Sequence, residues 1–191
     1  MITADRQEIL RYLGYRREQL PDAEVEQSIS LCLEELSAGA EPRSVRRRFP
    51  VVRTEGKLTV AGIGFESRSL EKHLAGCSEA VLFAATLGIQ TDRLIARAQV
   101  RNLRDALVMQ ACAAAMIEAY CDAVDCEILE EAQKDNLHTK RRFSPGYGDL
   151  DMSVQKDLCL VLDTGRTIGV TLTESCMMVP VKSVTAIVGL F

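Results

Sequence analysis

The stretch EAVLFAATLG, Glu79 to Gly88, reads as one buried strand: an unbroken apolar run of strand length, closed by a glycine. The residues after Gly88 have a different period. Thr91 or Asp92 can cap a helix that turns Leu94, Ile95 and Ala98 inward. A much longer helix then runs from Asn102 to about Lys134, carrying Leu103, Leu107, Ala111, Ala114, Ile117 and Tyr120. Its ACAAAM segment is rich in small residues, so neighbouring elements can approach it closely.

Upstream of that strand, SVRRRFPVVR and KLTVAGI read as two strands around a turn at Glu55-Gly56, with Pro50 suited to an edge or a bulge. The Arg46-Arg47-Arg48 run has two readings, a solvated strand edge or a contact for an anion or acidic partner. Ser69 could cap a short helix ending at His73. Closer to the N-terminus, Asp5–Tyr12 forms a short helix ended by Gly14. A second helix comes after Pro21-Asp22, with Val25, Ile29, Cys32, Leu33 and Leu36 on one face and Gly39 just past its end.

Downstream, residues 135–149 are irregular and basic, containing His138, Lys140, Arg141, Arg142 and Pro145-Gly146-Tyr147-Gly148. Connections of that length often carry function. Ser153 caps a helix bearing Val154, Leu158, Val161 and Leu162, and strands come next at Thr167–Thr171 and Val184–Leu190. Helix-only, strand-only and βαβ-repeating patterns all fail, so the class is α+β. The expected organisation is an N-terminal helical segment over 1–40 and an α+β domain over 41–191, in one compact unit.

Composition narrows the function classes. A net charge of −4 and a pI near 5.3 lack the basic excess of a general nucleic-acid binder. No apolar run reaches the roughly 18 residues of a membrane span, and MITADRQEIL has no signal-peptide pattern. The cytoplasm is the expected location, with neither nucleic acid nor membrane as partner. The seven cysteines contain no C-x-x-C pair and read as buried, reduced thiols, so no metal site is expected. Glycine-rich nucleotide loops, H-E-x-x-H and G-x-S-x-G are absent, and nothing pairs His73 or His138 with a nucleophile. No catalytic residue is therefore assigned.

A binding constellation remains. In R-F-S-P-G-Y, the Arg142 guanidinium can grip a carboxylate through two parallel hydrogen bonds. Pro145 stiffens the chain, Gly146 lets backbone approach a ligand, and Tyr147 offers a ring and a hydroxyl. Taken alone the motif fits an amino-acid-like ligand, and it also fits a plain turn.

R-F-S-P-G-Y is succeeded some 25 residues later by I-G-V-T-L-T-E-S-C-M-M-V-P-V-K-S-V-T. The ordered pair resembles the activation domain of cobalamin-dependent methionine synthase, whose landmarks are an R-x-x-P-G-Y loop and an L-T-E-S-x-x-M-x-P-x-x-S-V region. The segments EILRYLGY through AATLGIQTDRL resemble stand-alone relatives of that domain.

The resemblance implies a twisted antiparallel sheet with flanking helices in a curved arrangement. It also implies a role in methionine biosynthesis. Inert cobalt(II) in a cobalamin-dependent methyltransferase is reduced by a flavodoxin-type donor and trapped as methylcobalamin, with S-adenosylmethionine as methyl donor. Such a chain holds S-adenosylmethionine while its partner supplies the cobalamin. Methyl transfer from a sulfonium needs orientation rather than an acid or base, so whether the chain alone is called an enzyme is left open.

By the same resemblance, Arg142 meets the ligand's carboxylate, and Pro145, Gly146 and Tyr147 form the loop beside adenosine and cofactor. Glu118, in M-I-E-A-Y, corresponds to a family glutamate at the ligand, although an exposed helix carboxylate is its other reading. Glu174 belongs to the second motif, where Ser175 reads as a sheet-edge turn. Two features depart from the family. Asn136 stands nearest to where a second glutamate is expected, and no residue follows Phe191 to supply a further tyrosine. Weaker binding, or a pocket completed by the partner, is the corresponding expectation. The rival reading is a scaffold that docks on a corrinoid protein without binding S-adenosylmethionine.

Overall fold

A computed structural model describes residues 2–16, 19–54 and 56–191. Its centre is β4 (Glu79–Thr86), buried along nearly its whole length because both faces of the sheet are covered. Val81, Phe83 and Ala85 enter one core, while Ala80, Leu82 and Ala84 enter the other. The sheet is antiparallel in the order β3-β2-β1-β4-β7.

The strand β1 (Arg43–Thr54) serves two ladders in succession. Arg43 to Pro50 pair with β4, and Val51 to Thr54 pair with β2 (Lys57–Val60). Pro50 stands at the hand-over, where a missing N–H costs least. β3 (Ile63–Phe65) continues the meander, and its short apolar run escapes the sequence reading. Glu55, half of the expected turn, lies outside the described residues. Leu58, Val60, Ile63 and Phe65 share a core with Leu82 and Ile187, so the sheet curls over that face.

On the other face lies α5 (Leu103–Lys134), 32 residues long, capped by Asn102 Oδ1 accepting from the Asp105 N–H at 2.8 Å. By length and composition it could cross a membrane, yet thirteen of its residues are buried in the core, among them Ala111, Cys112, Ala113 and Ala115. α1 (Arg6–Tyr12) and α2 (Ala23–Gly39) pack on it, each capped by an aspartate, Asp5 and Asp22. Gly39 closes the last turn of α2 rather than following it.

Three local expectations change. Ser67, not Ser69, caps α3 (Arg68–His73), accepting from Leu70 N–H. α4 (Ile89–Arg101) starts at Gly88, while Thr91 donates to the Leu87 carbonyl and Asp92 accepts from Val181 N–H. The strand expected at Thr167–Thr171 is instead α7 (Thr164–Thr167), a glycine turn and the two-residue β5 (Thr171–Leu172). Thr164 Oγ1 donates to the Val170 carbonyl at 2.8 Å and closes that turn.

α6 (Val154–Leu162) forms as expected, although Ser153 makes no capping hydrogen bond. β5 pairs with β6 (Met178–Val179) in a small hairpin. β7 (Ser183–Leu190) completes the sheet and is buried on both sides.

The arginine run of β1 is neither free nor merely solvated. Arg46 bonds Glu127 and Glu131, Arg48 bonds Glu79 and Asp135, and Arg47 donates to the Val161 carbonyl. The seven cysteines are free thiols, and five are buried. Burial pushes Cys112 and Cys121 up to about 12 and Cys32 to about 11, which keeps them protonated.

Candidate ligand site at the Pro-Gly-Tyr turn

The segment after α5 does not wander. Asn136 takes φ +58°, a left-handed value that asparagine tolerates, and reverses the chain. The chain then runs antiparallel along the outer edge of β7, with bridges Thr139–Leu190 and Phe143–Ile187. His138 and Phe191 exchange backbone hydrogen bonds of 2.8 and 3.0 Å, which fixes His138 as an edge residue. The irregular loop of the sequence reading thus covers a sheet edge.

Strand-like geometry sends neighbouring side chains to opposite sides. Phe143 joins the α3–α6 core, where its ring lies 5.1 Å from His73 and 6.0 Å from Tyr147. Arg142 goes the other way, onto α5. Its Nη2 donates to Glu118 Oε2 at 2.7 Å, and its Nη1 donates to Asp122 Oδ1 at 2.6 Å and Asp125 Oδ2 at 2.5 Å.

Those carboxylates stand at i, i+4 and i+7, one face of the helix. Arg142 is mostly buried, with 19% of its side chain exposed. Burial alone would lower its pKa, but the hydrogen bonds it donates to Asp122, Asp125 and Glu118 outweigh burial and hold the guanidinium above its ordinary value. Burial raises the Asp125 carboxyl, against the pull of Arg142. Asp125 Oδ1 is shielded from solvent and has no partner among the described residues.

The Pro-Gly-Tyr turn is bolted to α3. Gly146 N–H donates to the Leu150 carbonyl at 2.8 Å, and Tyr147 N–H to the Ser144 carbonyl at 3.0 Å. Gly146 has φ +89°, and a Cβ there would meet Met152 Sδ at 2.8 Å. Asp149 accepts from Ser67 Oγ at 2.6 Å and from the N–H groups of Arg68 and Ser69 at 2.9 and 3.0 Å. These bonds hold its carboxyl well below the usual range. Pro145 is buried, whereas the Tyr147 ring is 54% exposed.

Glu174 sits apart, exposed in the turn between β5 and β6. Thr173 and Ser175 bond through their hydroxyls at 3.0 Å, and Gln155 Nε2 donates to the Cys176 carbonyl at 2.6 Å. Ser175 is a turn residue, as expected.

Of the six residues singled out in the sequence, the structure joins Glu118 to Arg142 directly. Pro145, Gly146 and Tyr147 come within one turn, and Glu174 lies on a separate hairpin. Asp122 and Asp125 were missed, although E-x-x-x-D-x-x-D from Glu118 is a readable helical spacing. Hollows of about 630, 500, 360, 320 and 90 Å³ occur elsewhere, and none of these five is lined by any of the six.

With the site laid out, comparison with known proteins decides the family. Residues 70–190, more than half of the chain, match the family described as vitamin B12 dependent methionine synthase, activation domain. This chain belongs to the activation-domain family. The match begins inside α3 and contains the Arg142 turn, the β5–β6 hairpin and all of β7. No curated protein matches the sequence. Among solved structures, the MetH reactivation domain bound to AdoHcy is similar at a TM-score of 0.69 and 18% identity, covering 94% of this chain and 68% of that one. At that identity the likeness speaks for the fold, over nearly the whole length of this chain.

Proposed function

We propose that this chain binds S-adenosylmethionine and acts as the reactivation partner of a cobalamin-dependent methyltransferase, which supplies the cobalamin. The observation that carries the proposal is the direct Glu118–Arg142 pair, set immediately before the Pro145-Gly146-Tyr147 turn in a chain of this family. A flavodoxin-type electron donor and a cytoplasmic location belong to the same proposal. The free cysteines support a reducing compartment.

The residues fit the ligand's charges. Three carboxylates surround one guanidinium, leaving an excess of two negative charges for an ammonium or sulfonium group. Arginine has five N–H donors, and those carboxylates take three, so two remain for the ligand's carboxylate. Gly146 brings backbone close without a Cβ, and Tyr147 presents an exposed ring. Glu174 would approach from the hairpin. Bound S-adenosylmethionine supplies a methyl group; the chain's own part is orientation, which needs no general acid or base.

A cobalamin-dependent methyltransferase deleted of its own activation domain provides the test. With reductant and methyl-labelled S-adenosylmethionine, label should reach its cobalamin only when this chain is added, and not with Arg142→Ala. No transfer, under conditions where the intact methyltransferase is labelled, would sink the proposal.

A second reading is favoured by the three ion pairs of Arg142 and by hollows that lie elsewhere: a scaffold that docks without a ligand. It predicts a stable complex with the methyltransferase in sedimentation and no uptake of S-adenosylmethionine by either the chain or the complex.

A further inference from the structure

Resting on that proposed site, we infer that Asp122 and Asp125 set its charge selectivity, favouring a sulfonium ligand over the neutral thioether left after methyl transfer. Helix geometry gathers the charges. Glu118, Asp122 and Asp125 share one face of α5 and converge on Arg142. Asp122 and Asp125 both use the same nitrogen, Nη1, so one donor atom answers two negative charges.

Three cations of β1 and the edge segment, Arg46, Arg48 and Lys140, are committed elsewhere. Arg46 bonds Glu127 and Glu131, Arg48 bonds Glu79 and Asp135, and Lys140 Nζ donates to the Ala75 carbonyl at 2.9 Å. Asp122 reaches solvent, with 69% of its side chain exposed, whereas Asp125 keeps one oxygen buried without a partner among the described residues. The face therefore combines an outer carboxylate that a ligand can meet with an inner one that maintains the negative field.

A donor with a sulfonium carries one more positive charge than its thioether product, while the amino-acid end is the same in both. Carboxylates that only hold Arg142 in place affect the two ligands alike. Carboxylates that sense the sulfonium affect the donor alone. The consequence for the proposed role is release of the spent ligand in favour of a fresh donor.

Calorimetry on the full chain separates these cases, using S-adenosylmethionine and S-adenosylhomocysteine with wild type, Asp122→Asn and Asp125→Asn. Wild type should prefer the sulfonium. Each variant should cut the ratio of the two affinities by ~3- to 10-fold, an effect of the size expected for one partly screened charge. Should Asp125→Asn fail to fold, the exposed Asp122 decides alone. An unchanged ratio, or parallel weakening of both ligands, overturns the inference while leaving the proposed function standing. Wild type that binds neither ligand overturns both.

Discussion

Arg142 Nη1 lies 2.5 Å from Asp125 Oδ2, so the segment that leaves α5 is fastened back onto it about two and a half turns from its end. The pair is mostly buried, and Asp122 and Glu118 complete the clamp. Removing the guanidinium leaves three like charges on one helix face. Arg142→Ala should lose about 1–3 kcal/mol in urea denaturation, the scale of hydrogen bonds to charged groups. High salt should recover part of the loss, because screening weakens the remaining repulsion. A loss that ignores salt would place the effect in packing instead.

Asp149 ties the Pro-Gly-Tyr turn to α3 through Ser67, Arg68 and Ser69. Asp149→Ala should lower the melting temperature and speed amide exchange at Gly146 and Leu150. The pH dependence has a definite sign. The folded carboxyl lies below its ordinary value of 3.8, so its stabilising effect is fully present above that pH and fades as pH falls below it. The melting-temperature gap between wild type and Asp149→Ala should thus be constant near neutrality and narrow in acid. A gap independent of pH down to acid unfolding would contradict the cap.

Gly189 lies in β7 where a Cβ would meet Cys77 Sγ at 2.6 Å and Leu74 Cδ2 at 2.8 Å. Gly189→Ala should destabilise the protein by about 1–3 kcal/mol, the usual scale of overpacking. Adding Cys77→Ala should return part of that loss. Additive losses in the double variant would show that the two positions do not press on each other.

Thiol reactivity should track burial. At mildly alkaline pH, Cys126 is exposed and should react first with a disulfide reagent. Cys112 and Cys121, both raised to about 12, should stay silent until denaturant is added. Fast labelling of either in native protein would contradict the core placement of α5.

Long, uniform patterns made much of this fold readable. The apolar run around Phe83 and the small-residue stretch around Cys112 match burial, so β4 and α5 are legible in the sequence, although Leu103 and Leu107 of the expected apolar series are exposed. Some of the shorter elements did not emerge. Ile63-Gly64-Phe65 is too brief to display a period, and the helix at Thr164–Thr167 is a single turn closed by a side-chain bond from Thr164 to the Val170 carbonyl. The Ser67 cap was hidden because its second partner, Asp149, lies far along the chain.

At the candidate site, the R-x-x-P-G-Y spelling marked the turn that follows Arg142. It could not reveal that Arg142 and Phe143 face opposite ways, since that arises from pairing with β7. Asp122 and Asp125 were legible in principle from their spacing after Glu118, but only contact with Arg142 gives the spacing meaning.

The central claim is most directly tested by calorimetric titration of S-adenosylmethionine into the isolated chain, beside Arg142→Ala shown by circular dichroism to be folded. Saturable heat at one site per chain, abolished in the variant, is the predicted result. Equal binding by both proteins, or no binding by wild type alone or in complex with a cobalamin-dependent methyltransferase, would contradict it.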